Sequence, residues 1–425
     1  MTTKAHLAIT PASNGAAAGS APGPYRVLVA TLLLAAGAAN GVNFMAASPL
    51  LPVFMADFGI ESAQAGLLFS VVPLFTTACS IPASLLSARI GLRMTYGLGL
   101  VLMAGGLLVL VFPSFWGVLG GRALLGMGGG VLPLGTAITV QWFRNRTLPL
   151  INSAAFVCLS LGFTAGLGAT VPLVQGAGWQ MPLTLYASFA AVVATLWMLL
   201  ARDGPYGGPE RTAIAEVTPR RNVYMQRRTW LLAIGFAGPI ACYDTFTAWL
   251  PTYYSTVGGM DLNQASTLVG VLGLAGVPGA LLGGWLTSRT GVRRPFIILP
   301  GVLLPPTALA SFLVTDPALL VGVLALFGLL AWGFNPAYVT IPMELPGISA
   351  VDVGAVLSVV FTLTGFCVFV VPLVVGALVD VTGSFVPGFM LCVALSGVLL
   401  AVGLLLPETG PGAVPQSGSR SNAAT

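Results

Sequence analysis

Two seven-residue stretches, SARIGLR at 87–93 and SRTGVRR at 288–294, set Arg89 and Arg289 two hundred positions apart, each at the end of a long apolar run. The same basic word closing two apolar segments points to a chain built from two similar halves. On either side of these words, apolar segments fall near 27–54, 64–87, 94–113, 116–141, 149–174, 182–201, 229–255, 265–287, 295–315, 318–341, 353–379 and 386–406. Each is long enough, at about 1.5 Å per helical residue, to cross most or all of the roughly 30 Å of hydrocarbon in a bilayer. The 425 residues are 56% hydrophobic and only 7% charged, against about 25% charged in ordinary soluble domains. So few charges do not cover a globular surface, which excludes a soluble enzyme, a nucleic-acid binder and a disulfide scaffold. The expectation is an all-α membrane protein of twelve transmembrane helices.

Charge placement orients the chain. If the N-terminus is cytoplasmic, sixteen of the seventeen basic residues fall on that side, Arg122 lies within a span and none is outside. That is the bias that fixes membrane topology. The first apolar run is too long for the core of a cleaved signal and reads as a spanning helix. A Gly-, Pro- and Arg-rich link then separates six spans from six. The expected organisation is a cytoplasmic tail over 1–24, a six-helix bundle over 25–201, a cytoplasmic linker over 202–228, a second six-helix bundle over 229–407 and a cytoplasmic tail over 408–425. The five cysteines lie in apolar runs without metal-ligand spacing, and the one histidine, His6, sits in the polar N-terminal stretch. No cofactor, metal site or enzyme chemistry is implied. LPETG at 406–410 spells a sorting signal but follows its apolar segment, so it reads as the end of the last helix.

The inner words extend to a pattern with Ser84, Ala88, Arg89, Gly91 and Arg93 in the first half, and Gly284, Ser288, Arg289, Gly291, Arg293 and Arg294 in the second. With Arg122, Gly126, Gly129 and Gly130 in the fourth span, the chain resembles the major facilitator superfamily across residues 25 to 410. AWLPTYY at 248–254 and GALVDVTGSF at 376–385 add a weaker resemblance to the branch of cyanate and nitroimidazole-type permeases. The resemblance implies a secondary transporter whose two bundles rock around a central site. It also implies that Arg89, Arg93, Arg289, Arg293 and Arg294 form a conformational latch, although Ala88 and Ser288 stand where the family carries acids. The fifth-span exporter pattern is incomplete, since Pro172 follows valine and not glycine.

Ionisable and amide side chains inside spans are the candidates for solute or proton work. Arg122 lies about 9 Å below the outer end of its span; it is either a cationic site or a packing anchor on backbone carbonyls. Asp244, deep in the seventh span, is either a coupling group or a helix-to-helix hydrogen bond. Tyr243, Trp249, Asn40, Asn43 and Asn335 are the further expected lining residues. Pro251, Pro278, Pro336 and Pro372 are expected to break or kink their helices. The functional expectation is a monomeric carrier in a plasma membrane, such as a bacterial inner membrane, moving a small molecule, in one reading a small anion or carboxylate with protons. Proton-coupled efflux of drug-like compounds and a non-transporting receptor on the same fold are the alternatives.

The topology predicts that cysteines placed in 55–63 or 256–264 react with an impermeant thiol reagent on intact cells. Cysteines in 202–228 are predicted to react only after permeabilisation, and labelling of that link in intact cells would reverse the orientation.

Overall fold

A computed structural model describes residues 23–143, 147–204, 224–344 and 350–410. Lys4, His6, Arg144, Arg146, Arg211, Arg220, Arg221 and Arg420 lie outside the described residues, as does most of the expected linker. Among the described residues eleven helices are long and apolar enough to span a membrane. A twelfth span is made by the pair Phe115–Gly129 and Leu134–Trp142, bent by 41°. The chain is thus all-α, with spans where the hydropathy put them.

The first span is a helix over Gly23–Met45 extended by Leu51–Phe58, the second Ser62–Ile90, and the third Leu92–Met103 with a tighter helical stretch over Ala104–Leu110. The bent pair is the fourth, Thr147–Gly168 with Thr170–Ala177 the fifth, and Gln180–Leu200 the sixth. In the second half the spans are Arg227–Thr256, Leu262–Thr290, Pro295–Leu313, Pro317–Gly333 with Asn335–Glu344, Ala350–Thr382 and Val386–Leu405. Of the four prolines expected to disrupt helices, only Pro336 sits at a break. Pro251, Pro278 and Pro372 lie inside continuous helices, because packing can hold a proline in place where neighbouring groups supply the missing donor.

The packing repeats with a shift of six spans. The first span packs on the fifth as the seventh does on the eleventh; the second packs on the fourth as the eighth on the tenth; the third on the sixth as the ninth on the twelfth. Glycines permit the closest of these approaches: a Cβ at Gly126 would lie 2.5 Å from the Val72 carbonyl, and one at Gly283 would overlap the Gly333 carbonyl. The bundles meet where the second span packs on the eleventh and the fifth on the eighth.

One face of the molecule carries the described arginines other than Arg122, and the other carries acids seated at helix N-termini, where the helix dipole favours negative charge. Asp261 and Asp316 accept backbone N–H groups opening the eighth and tenth spans, and Glu61 forms a capping box on the second. Asp380, near the end of the eleventh span, reaches across the seam: its two oxygens accept the N–H groups of Ser62 and Ala63 at 2.8 Å each. Gly376 brings the backbones together there, since a Cβ would come within 2.5 Å of the Ser62 carbonyl. On the arginine face the corresponding ends of the second and eighth spans are exposed, Arg89 and Arg289 with them. The bundles are therefore clamped at the acidic face.

On the arginine face, other basic groups tie helix ends within one bundle. Arg93 donates from Nη2 to the Met198 carbonyl at 3.1 Å, and Arg294 donates to the Gly403 and Leu404 carbonyls at 3.0 and 2.8 Å. Arg293 pairs with Glu344 at 2.7 Å. Residues 406–410 do more than end the last helix. The Glu408 carboxylate accepts the backbone N–H groups of Arg293, Arg294, Thr409 and Gly410 at 2.7, 3.0, 3.1 and 3.1 Å. Burial pushes its carboxyl up, but these four donors outweigh it and hold it below its ordinary 4.5.

Two outcomes follow from these contacts. Asp380→Asn removes a charge from a partly exposed helix N-terminus, a contribution of about 0.5–1 kcal/mol, so cysteine accessibility of the mouth on the acidic face should rise roughly two- to five-fold. For Glu408, a folded value lowered below the unfolded one means its stabilisation is present above the ordinary carboxylate range and lost as pH falls through the folded value. Glu408→Gln should therefore melt earlier than the parent at neutral pH, with the gap closing in acid.

Candidate functional site

Between the bundles lies a cavity of about 270 Å³ lined by the first, second, fifth, seventh, tenth and eleventh spans. Its polar lining is Asn40, Thr76, Thr77, Thr364 and Asp244, and its aromatic walls are Phe44, Phe163, Trp332 and Phe361. Asp244 is the one ionisable side chain lining it among the described residues. A second cavity, of about 310 Å³, is walled by spans of the first bundle alone, with Tyr96, Thr136 and Asn152 among its lining. Of these two, the central one alone takes residues from both bundles.

The structure divides the seven residues expected to form the site. Asn40 and Asp244 line the central cavity. Tyr243 is buried behind the wall, its ring 5.7 Å from that of Trp332 at 86°, and so braces the tryptophan. Trp249 is buried farther towards the acidic face, donating from Nε1 to the Pro372 carbonyl at 3.0 Å. Asn335 sits at the break in the tenth span and donates to the Ala331 carbonyl at 3.4 Å.

Arg122 and Asn43 face away from the central cavity. Arg122 is 4% exposed, and its guanidinium donates to the Leu68 carbonyl and to those of Asn43 and Phe44 at 3.3 and 3.0 Å. The reason lies in the first span, whose helix opens after Met45. The turn at 46–51 engages the carbonyls of Val42, Met45, Ala47 and Ser48, and Arg122 takes those of Asn43 and Phe44. A helix C-terminus inside a membrane needs such donors. Asn43 donates to the carbonyls of Ala39 and Tyr186 at 2.8 and 2.9 Å, tying the first span to the sixth. Both side chains are bound into the first bundle.

The aromatic walls are the site feature that residue-by-residue reading passes over. Phe163 and Phe361 are two among twenty-two phenylalanines, and hydropathy does not separate a cavity wall from a lipid face. Trp332 links the halves directly, since its ring also lies 5.1 Å from that of Phe156 in the fifth span.

Residues 33–351 match the family described as Major Facilitator Superfamily. The chain is 26% identical to a probable sulfoacetate transporter of Cupriavidus necator, over 86% of this chain and 88% of the relative. It is 27% identical to a 2-nitroimidazole transporter of Escherichia coli, over 60% and 64%. A probable nitrate/nitrite transporter of Mycobacterium tuberculosis is 26% identical over 83% and 90%. Among solved structures, a bacterial homologue of the human lysosomal transporter Spinster, in an inward-facing and unoccupied conformation, superposes with a TM-score of 0.72 at 15% identity, over 90% of this chain and 96% of that one; that likeness speaks for the fold. With two six-span bundles around a shared cavity and a family match over most of its length, the chain belongs to the major facilitator superfamily, as a multi-pass membrane protein that transports a small solute.

Proposed function

We propose that the central cavity is the solute site, that transport is coupled to protons, and that Asp244 is the group whose charge changes during the cycle. The supporting observation is that Asp244 is the lone ionisable side chain lining a cavity shared by both bundles. An intramembrane ionisable group facing a cavity is a functional group by default. The bundles rock about the seam, with the acidic face closed in this state and Arg89 and Arg289 free to bridge the opposite ends in the other. The arginine face lies in the cytoplasm, with both termini, and the carrier works as a monomer in the cell membrane, in bacteria the inner membrane.

The size of the cavity favours a small solute over drug-like compounds, whose pockets run from about 300 to 1,000 Å³. For its charge, two readings compete. The named relatives, described as probable sulfoacetate and nitrate/nitrite transporters, favour a small anion. In that case Asn40 and the threonines would be the donors, because Arg122 is engaged by carbonyls. The lining itself favours the opposite sign, as developed below.

In proteoliposomes, solute-driven proton flux should fall at least about tenfold in Asp244→Asn, while Arg122→Gln should lower folded yield and melting temperature instead of coupling. Unchanged proton-coupled flux in Asp244→Asn would remove it from the mechanism.

A further inference from the structure

We infer that the central cavity selects a small organic monocation or protonated weak base with a flat apolar body, and that proton and solute occupy Asp244 in turn. The inference rests on the reading of the cavity as the solute site. Three observations carry it. First, the wall of the cavity offers a carboxylate and no basic side chain among the described residues. An anion placed there would sit against a like charge in a medium that screens poorly, whereas a cation makes a neutral pair. Second, Arg122, the arginine buried deep in the first bundle, is engaged elsewhere: it donates to three carbonyls and opens onto a void of about 20 Å³ at the core of that bundle. Third, the walls are rings from four spans of both bundles, Phe44, Phe163, Trp332 and Phe361. The π-face of an aromatic ring attracts cations, more strongly when water is excluded, and apolar solute surface packs on it equally well.

Trp332 is held in place by ring contacts with Tyr243 behind it and Phe156 across the seam. Such a braced wall suits a flat partner better than a flexible chain. The neutral hydrogen-bonding groups, Asn40 and Thr77 among them, orient a ring nitrogen or a small substituent and do not decide charge. One carboxylate holds one positive charge at a time. A proton bound from one side and released as the cation binds gives one-for-one exchange that moves no net charge and is indifferent to the membrane potential.

Three probes with one ring and three charges test this: benzylammonium, benzyl alcohol and benzoate, titrated against the full-length protein in lipid nanodiscs with thermal stabilisation as the readout. The expected order is benzylammonium, then benzyl alcohol about tenfold weaker, then benzoate weaker still. Asp244→Asn should level the first two, and Asp244→Glu should retain their order. Phe361→Leu should weaken both, benzylammonium more than benzyl alcohol. Preference for benzoate in the parent protein, which needs no variant to fold, overturns the inference. So does a cation preference that survives in folded Asp244→Asn. Benzoate flux in proteoliposomes that still requires Asp244 for its proton would also overturn it, while leaving the proposed proton coupling intact.

Discussion

Inside hydrocarbon there is no water to take an unpaired carbonyl, and this constraint governs where the polar residues of the chain are spent. The first span opens at Met45 and Arg122 crosses from the fourth span to cover the carbonyls set free. The seventh span runs through Pro251, which has no N–H for the Thr247 carbonyl one turn back. Ser48 supplies a hydroxyl instead, at 2.5 Å, with the Ala248 carbonyl at 3.1 Å. The same short segment, residues 43–51, thus receives donors from within its bundle and gives one to the other bundle. An arginine that looks like a binding group in a hydropathy plot is engaged by backbone carbonyls, and among the described residues the ionisable side chain lining the central cavity is Asp244.

The two faces of the molecule use helix ends in opposite ways. On one, carboxylates cap N-termini; on the other, arginines cover C-terminal carbonyls, Arg93 in the first half and Arg294 in the second, with Glu408 the carboxylate that takes backbone N–H groups there. Both arrangements satisfy the same orphan groups and complement the same dipoles. Most of these caps stay within a bundle and so survive any motion between bundles. Asp380 is different because its helix and the one it caps belong to different bundles. Breaking it exposes groups that water can satisfy at the surface, so the clamp is cheap to open. Contacts of that strength suit a carrier that must populate two states.

The span pattern, the duplication and the arginine asymmetry were legible in the sequence because each is a property of composition over twenty or more residues. Breaks in helices were legible less well. Pro251 and Pro372 look like interruptions and are not, since local chemistry does not announce whether a neighbour will supply the missing donor. Side-chain direction was the weakest point. Asn40 and Asn43 are three residues apart on one helix, and yet Asn40 meets the cavity while Asn43 bonds to the sixth span. Three residues along a helix leave two side chains only about 60° apart in direction, so periodicity puts both on one face and only the packed neighbours decide which of them meets the cavity. Asp380 escaped notice because it reads as an ordinary loop acid until the N-terminus of the second span is placed beside it.

The cavity and the seam are joined through Trp332. Its ring forms part of the wall, Tyr243 in the seventh span braces it, and Phe156 in the fifth span touches it from the other bundle. In the proposed rocking cycle, the contact with Phe156 joins two bundles and is the one that motion between them would change, while the contact with Tyr243 lies within one bundle. A solute in the proposed site that packs against Trp332 would therefore act on a residue touching both bundles. Binding energy can shift the equilibrium only where a ligand interacts differently with each state. This tryptophan, one residue from Gly333 and two from the break in its helix at Phe334, is where the aromatic wall and the conformational change share an atom set.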